Sequence, residues 1–183
     1  MTMPTFTDGV VVHATDLNKL PTGINALNTL LTGAVAPRAF VPTVGASINT
    51  PHLLANTTDT VITFDAGGVN NNNMWVSGQP AFTIQTAGVY VAWAQGNWTA
   101  NATGVRTIGI LLNGTSVGSN SVARASAAAA SGTDLTTISV KTPPMSLAVG
   151  ALLYCSCWQS SGGGLNLDYT LSGAFMAIMR IGA

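Results

Sequence analysis

The sequence contains no glutamate. Its acids are Asp8, Asp16, Asp59, Asp65, Asp134 and Asp168, and its bases are Lys19, Arg38, Arg106, Arg124, Lys141 and Arg180. Charged residues are therefore 7% of 183, and the formal net charge is zero. Six dispersed bases cannot form the Lys/Arg footprint that displaces counterions from phosphates, so no nucleic-acid partner is expected. Scattered aspartates without glutamate leave no carboxylate pair for glycosidase-type chemistry. The two histidines, His13 and His52, stand in no nucleophile context that a hydrolytic triad requires. No glycine loop leads into Lys-Ser or Lys-Thr to cradle a phosphate. Asp65, Asp134 and Asp168 match no calcium loop, which needs several carboxylates in register. They read as turn and cap residues. The expectation is a chain with no catalytic residue, no cofactor and no metal site: not an enzyme. No apolar run approaches the roughly 18 residues of a membrane span, and no basic stretch leads into an apolar one at the N-terminus. Neither a membrane partner nor a secretory route is expected.

Cysteine is nearly absent too. Cys155 and Cys157 are two residues apart. On a strand that spacing puts both on one face, too far apart to bridge easily. No second pair or nearby histidine completes a metal site. They read as two small buried thiols in a reducing compartment.

What the sequence does have is a hydrophobic content of 47% with little charge to keep monomers apart. The exterior must be clothed in Asn, Thr, Ser, Gly and Ala, or covered by other subunits. A mixture of both is favoured over an ordinary neutral monomer.

Two regions differ in period. In residues 1–36, Thr15 or Asp16 can cap a helix. Leu17, Leu20, Ile24, Leu27 and Leu31 follow at spacings of 3, 4, 3 and 4, the a/d seam by which helices of separate chains meet. Pro21 and Gly23 interrupt the seam, and two heptads are marginal alone. The segment reads as an attachment arm with a short helix, ordered against partner chains or a surface beneath them. A helix packed on its own domain is the alternative. Residues 37–183 form the second region. Strands are expected at 60–64, 81–85, 89–98, 105–112, within 116–130, and at 135–141, 152–158, 165–169 and 175–181. Loops are expected at 66–73 and 160–164, and a tight hairpin at Asn113-Gly114. Gly96 reads as a bulge within its strand. Eight or more short strands with Gly and Asn turns point to a sandwich or jelly roll. The four tryptophans, Trp75, Trp93, Trp98 and Trp158, are expected to be buried. Two of them exposed together would instead make a saccharide platform.

Three stretches in this region resemble the tumour necrosis factor and complement globular-head superfamily. One is FTIQTAGVYVAWAQ, with Phe82, Gly88, Tyr90, Trp93 and Gln95. Another is Leu147-Ala-Val-Gly150, before the penultimate strand. The third is the closing FMAIM that begins at Phe175. Ala151 stands where the family carries Asp, and Ala92 departs from the complement-head pattern. The resemblance implies an all-β, ten-stranded jelly-roll sandwich that assembles as a homotrimer around a threefold axis. Tyr90, Trp93 and Phe175 are candidates for the axis or for the core beneath it. The opening TFTDGVVVHATDLNKL, residues 5–20, is similar to the openings of many phage virion proteins. Together these imply a trimeric capsid decoration, or cement, protein. Its arm would bind the major capsid protein, and its place would be the virion surface. The alternatives are a tail-fibre or tail-tip head that recognises host glycan, and a secreted cytokine-like ligand.

Overall fold

In the longest strand every second residue faces inward: Tyr90, Ala92, Ala94 and Trp98 are at most 1% exposed. That period of two is what a half-buried strand dictates, and it organises the whole domain. The structure, a computed structural model, describes residues 41–170 and 173–183. The arm, with Leu17, Leu20, Ile24, Leu27 and Leu31, lies outside the described residues.

In chain order the elements are β1 (Thr43–Ser47), β2 (His52–Leu54), β3 (Thr60–Val61), β4 (Ala66–Asn70), β5 (Ala81–Thr83), β6 (Gly88–Trp98), β7 (Val105–Leu112), α1 (Val117–Asn120), β8 (Ser121–Ala128), β9 (Thr136–Lys141), β10 (Met145–Leu147), β11 (Leu152–Gln159), β12 (Leu165–Leu167) and β13 (Phe175–Gly182). They form two antiparallel sheets. In the first, β6 is flanked by β13 and β12 along one side and by β9 and β10 along the other; β1 lies beyond β13, β2 beyond β12, and β4 outside β1. In the second, β3 and β5 share one flank of β11, followed by β7 and β8. This is the expected all-β jelly-roll sandwich.

Several strands of the sandwich come as two pieces, for local reasons. β9 and β10 lie along the same flank of β6, separated by Thr142-Pro143-Pro144. Proline has no N–H to give to a ladder. Thr142 holds the junction instead: its N–H donates to the Ala92 carbonyl at 2.9 Å, and its Oγ1 accepts the Ala92 N–H at 3.0 Å.

The inward side chains of both sheets make one core. Phe64 meets Phe82 edge-on with centroids 5.6 Å apart, and Trp75 stacks on Phe82 at 6.2 Å. Each such fully buried aromatic or branched side chain contributes about 1.5–3 kcal/mol. Cys155 and Cys157 are both inside this core at 1% exposure and unbridged. Burial and the neighbouring Cys155 raise the Cys157 thiol well above its ordinary pKa. Trp75 and Trp98 are buried as expected, whereas Trp93 and Trp158 are only half-buried.

Four local expectations are corrected. Residues 66–70 are a strand, not a loop: their glycines lie on the outermost strand of the sheet, where Gly67 makes room for the Trp75 ring, 2.8 Å from where a Cβ would stand. Asn70 then closes the turn, accepting from Met74 N at 3.0 Å and donating to Trp75 O at 2.7 Å. Asn113-Gly114 is not a two-residue hairpin. Asn113 adopts φ 56°, its Oδ1 accepts the Leu152 N–H at 2.9 Å, and the chain makes the one-turn helix α1 before β8 begins. That helical turn in the strand-rich region was not expected, and its sequence VGSN carries no amphipathic period. Gly96 is not a bulge, since β6 and β9 stay in register through it. It is glycine because the Trp98 ring folds back over it, 2.8 Å from where a Cβ would stand. Gly96→Ala therefore forces a fully buried indole to move. Overpacking of this kind costs about 1–3 kcal/mol, and a lowered urea midpoint at unchanged slope is the expected reading.

Candidate functional site, an apolar face on the first sheet

The residues of β6 that alternate with the core residues point away from the sandwich: Val89, Val91, Trp93, Gln95 and Asn97. β13 places Phe175, Ala177 and Met179 on the same side. Strand register sets them in rows. Lys141, Trp93 and Ala177 are opposite one another, as are Ser139, Gln95 and Phe175, with Val91 opposite Met179. Ala177, with Gly45 beyond it, leaves space beside the indole of Trp93.

The result is an open depression of about 830 Å³ lined by Val91, Trp93, Val140, Phe175, Met179 and Ile181 among others. Met179 is 37% exposed and Ile181 48%. Ile181 continues the outward phase of Phe175, Ala177 and Met179, and the register with β6 shifts only at this end of the strand. Large apolar side chains exposed together on one sheet face mark an interaction surface.

Electrostatics sharpen the contrast. Among the described residues the four aspartates lie in or beside the loops around β3, β8–β9 and β12, none of them on this face. Among the described residues Lys141 is the one charged group lining the depression. Asp65 accepts Asn49 N at 2.5 Å and Thr50 Oγ1 at 2.8 Å; Asp168 accepts Thr170 N at 2.6 Å and Oγ1 at 2.7 Å. The Thr170 bonds hold the Asp168 carboxyl below its ordinary pKa. These two acids close turns. Burial lowers the pKa of His52, and nearby Asp65 partly offsets the shift. Among the described residues no three His, Cys, Asp or Glu side chains gather as metal ligands would.

The three candidates from the sequence separate. Tyr90 belongs to the core, 0% exposed, with its hydroxyl donating to Thr86 O at 2.6 Å. Burial raises its phenol pKa, and Arg180 partly opposes the shift. Trp93 and Phe175 lie on the open face, in adjacent rows of the β6–β13 ladder. Val91, Met179 and Ile181 complete that face and were not singled out from the sequence. The available signal was that β6 is apolar in both phases, with Val89, Val91 and Trp93 alternating with Tyr90, Ala92 and Ala94. A strand reading so on both faces is covered on both.

The jelly-roll head defined by these sheets has structural counterparts. Murine APRIL at pH 8.0 superposes with a TM-score of 0.56 at 11% identity, covering 77% of this chain and 99% of that chain. The Eiger TNF from S. frugiperda superposes at 0.53 and 8% identity, covering 77% and 92%. The globular domain of a zebrafish complement 1qA protein gives 0.48 at 14% identity, covering 76% and 97%. No family model and no curated protein sequence matches the chain. At these identities the likeness is one of fold: the described domain is a tumour necrosis factor-like jelly roll.

Proposed function

We propose that the chain is a non-catalytic, homotrimeric structural protein whose apolar face on β6 and β13 is its subunit contact. The observation that carries this is Trp93 with Phe175, Met179 and Ile181, solvent-facing on a nearly uncharged sheet. A threefold assembly is closed and heterologous, so the face of one copy meets a different surface on the next. Closure around the axis buries the apolar face in every copy and leaves no sticky surface at an end.

In the finer reading the trimer is a phage capsid decoration protein. The arm of residues 1–36 binds the major capsid protein, and the head stands on the virion surface. Support comes from the sequence: the virion-like opening of residues 5–20, the leucine seam, and the scarcity of charge. Three arms on one trimer engage with avidity, because each bound arm raises the local concentration of the others. Salt screens only charges, so attachment is expected to persist in high salt. Quantitative mass spectrometry of purified particles, before and after a high-salt wash, tests this. Hundreds of copies per particle, retained through the wash, are expected. Release by moderate salt contradicts the attachment mechanism, and a few copies per particle favours a tail position.

A further inference from the structure

The second sheet carries a feature of its own on its outward face, across the sandwich from the apolar depression. Strand register aligns Arg124, Gly109, Ser156 and Val61 in one row across β8, β7, β11 and β3. Arg124 Nη2 lies 3.8 Å from Asp59 Oδ1, just before β3. The row spans three strand spacings, about 14 Å. The Arg124 side chain therefore extends over β7 toward β11, and the Asp59 carboxylate approaches it from the β3 side. Gly109 and Ser156 keep that path low, and both are buried although they face outward. Tyr154 and Trp158 flank Ser156 on the same side of β11, each half-buried. In the row of Trp158, Thr107 and Ser126 bring their hydroxyls within 2.8 Å of each other.

We propose that this face binds a neutral oligosaccharide, with one ring on the Trp158 indole and neighbouring hydroxyls on the Arg124–Asp59 pair. A sugar ring offers an apolar C–H face to an aromatic and a rim of hydroxyls that both donate and accept. Guanidinium only donates and carboxylate only accepts, so the two side by side match a vicinal diol. At 3.8 Å the pair is longer than a hydrogen bond, and its side chains are 43% and 40% exposed. Both groups keep bonding capacity for a ligand. Their charges cancel, which disfavours an anion beside Asp59 and a cation beside Arg124. A purely apolar ligand would strip water from the pair and return nothing. Aromatic surface with a few convergent polar groups is the usual composition of such sites. The inference does not rest on the trimer reading.

The test uses the full chain on an immobilised panel of neutral gluco-, galacto-, manno- and N-acetylglucosamine-type oligosaccharides, with sialylated and sulfated counterparts. Binding to at least one neutral member is expected. Trp158→Ala and Arg124→Ala should each weaken it at least tenfold, Trp158→Phe should retain part of it, and Val149→Ala, in a loop away from the face, should leave it unchanged. Should Trp158→Ala fail to fold, Arg124→Ala carries the test, because its side chain is exposed. No neutral binding, binding to anionic members alone, or full binding by a folded Arg124→Ala overturns the proposal.

Discussion

In the proposed trimer, Trp93→Asp is expected to yield folded monomers. The indole lies on the open face between Lys141 and Ala177, not in the sandwich core, so its loss leaves the inward packing of β6 intact. A carboxylate there would have to be buried against apolar surface in every copy. Burial of an unpaired charge is costly enough that contact is lost before the charge is desolvated. Lys141, the register partner, belongs to the same chain and already has to be accommodated at the proposed contact. Light scattering should report a mass one third that of the parent, with an unchanged far-ultraviolet circular dichroism spectrum. Tyr90→Ala provides the contrast. Tyr90 is wholly inside one subunit, so its truncation should lower the unfolding midpoint by core loss, about 3–5 kcal/mol as for other large aromatics, before it alters the contact.

Arg106→Ala should be among the most destabilising single changes in the domain. Arg106 is 0% exposed at the start of β7. Its Nη1 donates to Thr103 O at 2.9 Å and to Val105 O at 3.2 Å, and its Nη2 donates to Asn101 O at 2.9 Å. Its Nε has no partner among the described residues, and burial lowers its pKa. The guanidinium ties the loop of residues 99–104 to the end of the sandwich. Beside it in register, Gln159 donates to Leu54 O at 3.2 Å and to Gly163 O at 2.8 Å. Truncation to alanine removes three hydrogen bonds to backbone carbonyls and leaves a void the size of the side chain. Together these are worth about 3–5 kcal/mol, a large fraction of a typical 5–15 kcal/mol domain stability. Urea unfolding measures it directly. A loss under 1 kcal/mol would mean that the loop is held by other contacts.

The fold was legible because its strands obey a period of two and its turns use glycine and asparagine. Cys155 and Cys157 fall on one inward face of β11, as their spacing requires. What stayed hidden has specific causes. Gly96 resembled a bulge because a glycine in a strand fits either a bulge or a close approach, and only the position of the Trp98 ring distinguishes the two. The strand β4 resembled a loop because Gly67, Gly68 and Asn70 carry turn chemistry, which an outermost strand tolerates. Arg106 was overlooked although the pattern pointed to it. Ile108, Ile110 and Leu112 share the inward phase of β7, and extending that phase by two reaches Arg106. The open face was half legible. Trp93 and Phe175 were singled out, but with Tyr90 among them, since an apolar residue in either phase of β6 looks alike until the phase of the core is known.

Sedimentation velocity of the purified chain at micromolar concentration tests the central claim most directly. One species at three times the 18.6 kDa of a single chain is the predicted result, and it should shift to the single-chain mass in Trp93→Asp. Folded 18.6 kDa molecules from the unmodified chain, with no larger species at that concentration, would contradict it.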